Sequence, residues 1–120
     1  MPATVELNGW RAAEGPVGDA ITVARSAGAH RVIVAARGTE CSATREPSTD
    51  PGARFPMLEM RIDGKRAHAF YVDSDQTKDY SFGPFTLDGS PHQIQFFFLG
   101  DYYEHGRCDR NVWVTRVTFE

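Results

Sequence analysis

Short apolar segments with a two-residue period run through most of this chain, and they constrain its fold more than any other feature. Successive side chains of a β-strand point to opposite faces, so this alternation predicts strands with one buried face. β-branched and aromatic residues, which favour strands, dominate the same segments. The predicted strands cover residues 4–7, 20–24, 31–36, 57–62, 67–72, 80–87, 93–99 and 112–119.

Eight short strands without any helical stripe predict an all-β fold, a jelly-roll-like β-sandwich of antiparallel strands. Asp63-Gly64 predicts a tight hairpin, because this pair of residues tolerates positive φ angles. Gly15-Pro16 and Gly18-Asp19 predict a turn that separates the first strand from the rest. Since 120 residues is close to the modal domain size, we expect residues 1–120 to form one domain.

Residues 38–56 form a long irregular segment that is rich in Thr, Ser, Pro, Asp and Gly, which is a loop composition. A linker at this place would divide the chain into pieces too small to fold alone. We therefore interpret the segment as a loop between strands. Long ordered loops in small domains often have a function.

The charge and hydropathy of the chain argue against two classes of partner. A formal net charge of -3 gives no basic surface for nucleic acid. No run approaches the roughly 18 apolar residues of a spanning helix, so we expect no membrane partner. The first residues also lack the basic and apolar regions of a signal peptide. The protein is then either intracellular or a module of a longer secreted chain, and we favour the second.

Residues 100–111 combine hard oxygen ligands, aromatic rings and a cysteine in one loop between two apolar strands. Asp101 follows the first of these strands after a single glycine, and Asp109 comes just before the second. Calcium takes six to eight oxygen ligands at about 2.3 to 2.6 Å, and a glycine-containing loop can present several of them at once. The loop therefore predicts a calcium site. A surface loop with scattered acids is the alternative.

The two cysteines, Cys41 and Cys108, can form one disulfide, remain free thiols or bind a metal. A zinc site would need four ligands with close local spacing, and that spacing is absent. A disulfide would join residues 100–111 to the long loop at 38–56. We favour the disulfide, which implies an oxidising compartment, with free buried thiols as the alternative.

The sequence gives little support for catalysis. It has no G-x-S-x-G nucleophile motif, and Cys41 is better explained by pairing with Cys108. Asp101 and Asp109 could form the carboxylate pair of a glycoside hydrolase. However, the many polar neighbours in the loop favour ionised acids, whereas a general acid needs a raised pKa. We predict a protein that is not an enzyme and has no catalytic residues.

Several motifs together point to a family. They are Ala36-Arg37-Gly38-Thr39, Pro56-Met57-Leu58-Glu59-Met60-Arg61-Ile62-Asp63-Gly64, Tyr80, His92, Asp101 and Asp109-Arg110-Asn111-Val112-Trp113-Val114. This set resembles the calcium-dependent carbohydrate-binding modules of families 60 and 36, which are often appended to xylanases. The resemblance covers residues 21–119. Its most specific part is the acidic loop that ends in Asp-Arg-Asn before an alternating strand, although Gly100 stands where the family usually has asparagine.

The resemblance implies a non-catalytic module that binds xylan or a related polysaccharide through a calcium ion, which coordinates vicinal hydroxyls of the sugar. It implies Asp101 and Asp109 as side-chain ligands of the ion, with the carbonyl of Arg107 or Cys108 as a backbone ligand. The candidates for contact with the sugar are polar and aromatic residues of the loop and of the strand after it. These are Tyr102, Tyr103, Glu104, His105, Arg110, Asn111 and Trp113.

These candidates have different expected roles. Tyr102 and Tyr103 point in opposite directions if the segment is extended, so at most one of them meets a sugar. Arg110 is expected to brace the loop from beneath rather than to touch the ligand. Trp113 lies in a strand that must bury one face, so core packing is its more common explanation.

The resulting hypothesis is a secreted, monomeric polysaccharide-binding module of a larger glycan-active protein, with Ca²⁺ as its cofactor. The alternative is a structural or adhesive domain in which calcium only makes the loop rigid and the partner is a protein. A glycan-active enzyme is a weaker third interpretation.

Overall fold

A computed structural model describes residues 3–43 and 49–120 of the chain, so part of the loop predicted at 38–56 lies outside the described residues. Its elements are β1 (Ala3–Arg11), β2 (Gly15–Val23), β3 (Gly28–Gly38), a 3₁₀ turn (Pro51–Ala53), β4 (Met57–Ile62), β5 (Lys65–Tyr71), β6 (Lys78–Leu87), β7 (His92–Leu99), β8 (Tyr103–Glu104), β9 (Cys108–Asp109) and β10 (Val112–Phe119). In these two ranges, no helix has the length and apolar character needed to cross a membrane.

Eight of the strands form two four-stranded antiparallel sheets. Sheet A has the order β1-β10-β3-β6, sheet B has the order β2-β7-β4-β5, and β8 pairs with β9 in a separate small hairpin. The non-sequential strand order in each sheet is that of a sandwich built from crossing connections. The predicted all-β sandwich is confirmed.

The core lies between the two sheets, because each strand turns alternate side chains inward. In β7, Ile94, Phe96 and Phe98 are buried, whereas the residues between them are partly exposed. Val112 and Val114 of β10 are buried in the same alternating way. This two-residue period is the signal by which the strands could be predicted.

The predicted turn at residues 15–19 is wrong, because Pro16 and Gly18 lie inside β2. β2 is an edge strand of sheet B, where a missing proline N–H is tolerated. Its register against β7 shifts between Val17 and Ile21, and Gly18 has φ of 71° at this bulge. The actual turn is the short connection at residues 12–14, so the first strand runs on to Arg11.

The strand registers place the functional loops at one end of the sandwich. Val112 pairs with both Arg11 and Gly38, and Leu99 pairs with Met57, so the connections at 12–14 and 100–111 meet there with the described ends of the connection between β3 and β4. The opposite end carries the predicted hairpin turn. Asp63 and Gly64 have φ angles of 52° and 82°, as a tight hairpin requires.

Candidate functional site

The loop from Gly100 to Asn111 is folded as a small hairpin that projects from the end of the sandwich. Tyr103 pairs with Asp109, and Glu104 pairs with Cys108. Gly106, with φ of 76°, forms the turn, and the Arg107 N–H donates to the Glu104 carbonyl at 3.0 Å. Since β7 of sheet B ends at Leu99 and β10 of sheet A begins at Val112, the two sheets hold the ends of the loop, and Asp101 and Asp109 lie near these ends, at the base of the hairpin.

A disulfide between Cys41 and Cys108 joins the hairpin to the loop that follows β3, with the two Cα atoms 5.4 Å apart. The predicted pairing is therefore confirmed. Arg107 adds a second connection to the same loop, since its guanidinium donates a hydrogen bond to the Ser42 carbonyl. Arg107 is also paired with Glu104 across the turn of the hairpin.

Arg110 supports the loops from beneath. Its side chain is only 3% exposed, and its Nε donates to the Cys41 carbonyl at 2.9 Å. Its Nη1 donates to the Gly100 carbonyl at 2.8 Å and, over longer distances, to the carbonyls of Phe55 and Gly52. A guanidinium used in this way ties three segments of chain together and is not presented to a ligand.

Thr39, which directly follows β3 of sheet A, holds the backbone of Asp109. Its hydroxyl donates to the Asp109 carbonyl at 2.8 Å and accepts a hydrogen bond from the Asn111 N–H at 2.7 Å. Asn111 also donates from its side chain to the Asp109 carbonyl at 3.3 Å. A cleft of about 530 Å³ begins at Thr39, and its lining consists of Thr39, Glu40, Phe55, Asp73, Ser74 and Asp75.

The surroundings of Asp101 shift the pKa of its carboxyl group. Partial burial, and then repulsion from Asp109 and Glu14, raise the pKa of the Asp101 carboxyl above its usual value, while a hydrogen bond from the Tyr102 backbone and the Arg110 charge oppose the change. We expected the polar neighbours to keep the loop acids ionised. For Asp101, burial and the nearby carboxylates of Asp109 and Glu14 act in the opposite direction. The structure therefore brings the two predicted carboxylates into electrostatic contact.

Glu14 is a residue of this site that sequence analysis missed. It lies in the short connection between β1 and β2, and its Oε1 accepts hydrogen bonds from the Gly100 N–H at 3.0 Å and the Asp101 N–H at 3.4 Å. Gly100 has φ of 70°, which exposes its N–H to this carboxylate. No local pattern signals this contact, because the partners are 86 and 87 residues apart.

The residues present fit a calcium ion. Neither Asp101 nor Asp109 has an ion-pair partner within the described ranges, so two hard anionic ligands stay available beside each other. In the same ranges, no three His, Cys, Asp or Glu side chains are grouped to hold a metal. A site here would therefore need backbone carbonyls as well as the two aspartates.

The two tyrosines of the loop differ as expected for neighbours in an extended strand. Tyr102 lies inward, with its ring centroid 5.6 Å from the Arg110 guanidinium carbon. Tyr103 is 58% exposed, and its hydroxyl is 3.0 Å from Nδ1 of His105, which is also exposed. Tyr103 is therefore the ring that faces solvent, with His105 and Glu104 beside it on the hairpin.

The core interpretation of Trp113 is wrong. Its neighbours Val112 and Val114 take the buried positions, so Trp113 faces outward from sheet A. The guanidinium carbon of Arg37 lies 3.6 Å from the centre of its ring. Its partner in β1 is Trp10, a second outward tryptophan that was not predicted because the first strand was ended too early.

Comparison with known proteins identifies a family over three quarters of the chain. The model of a calcium-dependent, xylan-binding carbohydrate-binding module, family 60, matches residues 31–120. This range contains the whole hairpin but not Glu14 or Trp10. No curated protein sequence matches the chain significantly.

Three solved structures share the fold at low sequence identity. A family 36 carbohydrate-binding module in complex with calcium and xylotriose has a TM-score of 0.61 at 10% identity, covering 98% of this chain and 99% of that one. The first family 36 module of a multidomain xylanase from the hindgut metagenome of Trinervitermes trinervoides has a TM-score of 0.59 at 9% identity, covering 100% and 97%. The insecticidal delta-endotoxin Cry8Ea1 of Bacillus thuringiensis has a TM-score of 0.62 at 12% identity. The match covers 92% of this chain but only 19% of the toxin.

Proposed function

The chain belongs to family 60 of the carbohydrate-binding modules, and from this premise we propose that it binds a xylan-like polysaccharide through a calcium ion held by Asp101 and Asp109. Members of such families are non-catalytic, so the chain is a carbohydrate-binding protein and not an enzyme. The metal, its ligands and the choice of sugar are the parts that we infer.

The observation that carries the proposal is the pair of carboxylates at the base of the hairpin. Asp101 and Asp109 come from opposite ends of the loop, lie close enough for their charges to interact, and have no ion-pair partner among the described residues. A divalent cation would remove the repulsion between them and reverse the rise in the Asp101 pKa. The carbonyl of Arg107 or Cys108 would complete the protein ligands.

When bound, calcium would supply coordination positions for vicinal sugar hydroxyls, which can replace water on the ion. The protein contributes the surroundings. Tyr103 presents an exposed ring with the imidazole of His105 beside it, and Glu104 and Asn111 are further polar candidates on the same loop. A shallow site of this kind orders few groups, so we expect dissociation constants of roughly 10⁻⁵ to 10⁻³ M.

The rival hypothesis, that calcium only makes the loop rigid for a protein partner, has less support. The hairpin is already fixed by the Cys41–Cys108 disulfide and by the buried Arg110. A structural ion would add little to a loop that is held at two points. The exposed Tyr103 and the adjacent acids suit a ligand better.

We further propose that residues 1–120 act as one monomeric module of a longer exported protein. The disulfide supports this, since such bonds persist in oxidising compartments. β1, β2 and the first three residues of β3 lie outside the family match, yet β1 and β2 each form an edge of one sheet. The module therefore needs its first thirty residues in order to fold.

Calorimetric titration with xylotriose, in calcium and in EGTA, tests the proposal. We expect binding in calcium that becomes undetectable in EGTA, and the same loss in Asp101→Ala and Asp109→Ala, because each change removes a charged ligand. Asp19→Ala, an exposed acid in β2, is the matched control and should bind normally. Folded Asp101→Ala protein that binds xylotriose like the parent would refute the metal site, and equal heats with galacto- and gluco-oligosaccharides would refute the preference for xylan.

A further inference from the structure

We propose that the outer face of sheet A carries a second, calcium-independent contact for a polysaccharide chain, centred on Trp10 and backed by Trp113 and Arg37. The inference rests on the proposed function, since it takes a polysaccharide as the ligand. It adds a surface that lies outside the hairpin and, for Trp10, outside the part of the chain that matches the family.

The strand registers place these three side chains in one row. Trp10 of β1 is opposite Trp113 of β10, which is opposite Arg37 of β3. Directly paired residues in an antiparallel sheet point to the same face. Because Val112 and Val114 point into the core, this shared face is the outer one.

Trp10 is the exposed member of the row. Its side chain is 55% exposed, whereas Arg37 covers one side of the Trp113 ring at 3.6 Å. Within residues 3–43 and 49–120, the Trp10 ring has no stacking or cation–π partner. An indole this open can place one face against a ligand without any rearrangement of the sheet.

The surroundings of the row favour a sugar over a protein as the occupant. The next row on the same face holds Glu6, Arg116, Ala35 and Asp79, and the one after it holds Thr4, Thr118, Ile33 and Ser81, so charged and hydroxyl side chains outnumber apolar ones there. Among the described residues of this face, Trp10 is the one exposed large hydrophobic side chain, and an aromatic ring buries at most about 150 to 250 Å². A stable protein interface needs about 800 Å² from each partner. A sugar ring, with C–H groups on its faces and hydroxyls at its rim, matches one indole bordered by charged and hydroxyl side chains.

The patch also lies at the same end of the sandwich as the hairpin. Trp113 follows Asp109 by four residues, so their Cα atoms are at most about 14 Å apart. A polymer that occupies the loop can therefore extend onto sheet A, whereas a short oligosaccharide seated at the loop does not need the patch. We therefore expect the second contact to raise the affinity for polymers but not for short oligosaccharides.

Binding to insoluble xylan, measured as depletion isotherms in calcium and in EGTA, tests this surface. We expect Trp10→Ala to lower the affinity for the polymer about three- to tenfold in both conditions, the value of one aromatic contact. Trp10→Phe keeps a ring and should stay within about twofold of the parent. Thr118→Ala, two rows away on the same face, is the control. Xylotriose titration in calcium should be unchanged in Trp10→Ala.

Intrinsic fluorescence gives an independent measurement, because Trp10 and Trp113 are the two tryptophans of the chain. Soluble xylan should shift or quench their emission even in EGTA.

Polymer isotherms of Trp10→Ala identical to the parent, with no fluorescence change, would overturn the inference while the calcium site could still bind xylotriose. Loss of polymer binding in Trp10→Ala, together with normal xylotriose binding in Asp101→Ala, would support this surface and refute the calcium site. A parent protein that binds neither xylotriose nor xylan would overturn both.

Discussion

Two further carboxylates, those of Asp109 and Glu14, act electrostatically on Asp101 at the loop end of the sandwich, and this negative potential favours a cation there. The effect of these two charges on Asp101 is opposed by a hydrogen bond from the Tyr102 backbone and by the charge of the buried Arg110 beneath the loop. Glu14 differs from the other two acids, because it already accepts hydrogen bonds from the backbone of Gly100 and Asp101. Its role is to position the start of the loop while adding negative potential.

The role of Glu14 leads to a prediction about calcium affinity. Glu14→Ala should weaken calcium binding about three- to tenfold, because it releases two backbone N–H groups and removes a charge, a loss of the order of a charge-assisted hydrogen bond. Glu14→Gln keeps the acceptor oxygen and should lose less. Calcium titration by calorimetry measures both variants. Calcium affinity in Glu14→Ala equal to that of the parent would show that the loop does not depend on this contact.

The two loop tyrosines should separate binding from stability. Tyr103→Ala should cost about 1 kcal/mol of xylotriose binding, because its exposed ring can pack on the sugar. Tyr102→Ala should instead lower the melting temperature, since the inward ring lies over Arg110. Calorimetry and thermal unfolding of both variants provide the measurements. The opposite assignment, with binding lost only in Tyr102→Ala, would mean that the loop turns over when ligand binds.

At the scale of elements, the hairpin of β8 and β9 depends on connections that are distant in sequence. Each strand has only two residues, which is too short for the alternation that revealed the other eight. The disulfide, the Arg110 contacts and Thr39 hold it in place. Sequence reasoning could predict Asp101 and Asp109, because they lie close to the ends of long apolar strands. It could not predict Glu14 or the hairpin, because both depend on tertiary contacts.

Reduction of the disulfide tests how far the hairpin depends on it. The bond closes a loop of 67 residues, which on the chain-entropy model is worth about 4 kcal/mol. Reduced protein should melt at a lower temperature and bind calcium more weakly, because Cys108 is adjacent to Asp109. Differential scanning calorimetry and calcium titration measure both effects, and Cys41→Ser/Cys108→Ser protein should not respond to reductant. Two thiols that alkylate in the native, oxidised protein would contradict the disulfide.

At the scale of the whole molecule, one end of the sandwich carries the proposed binding site and the other carries a stabilising cluster of charged side chains. At the loop end, Asp101 and Asp109 have no ion-pair partner among the described residues, whereas the opposite end pairs two of its acids with a histidine. His92, at the start of β7, has its Nδ1 2.6 Å from Asp63 and its Nε2 2.7 Å from Asp88. It thereby joins the β4–β5 turn to the β6–β7 turn. Binding and stabilisation are thus placed about one strand length apart, which should allow them to be changed independently.

The sign of the pH dependence at this far end follows from the pKa shifts. The hydrogen bonds to Asp63 and Asp88 raise the pKa of His92, so its contribution is fully present below about pH 6.5 and is lost as pH rises through the higher folded value. The bond to His92 lowers the pKa of Asp63, and Ser90 with His92 lowers that of Asp88. Their contribution is present above about pH 4 and is lost as pH falls. The cluster therefore stabilises the fold most between about pH 4 and pH 6.5.

Thermal unfolding of the parent and of His92→Gln, measured from about pH 4 to about pH 9, tests this reasoning. The parent should have its largest advantage over the variant near pH 5 to 6, and the advantage should shrink above about pH 7 as His92 loses its proton. His105→Gln, whose imidazole is exposed on the hairpin, is the matched control and should follow the parent.

Because the cluster lies at the end opposite the hairpin, xylotriose affinity in His92→Gln should equal that of the parent. A constant difference in melting temperature at every pH would show that His92 acts only as a packed side chain. A loss of xylotriose binding in the folded variant would show instead that the two ends of the sandwich are coupled.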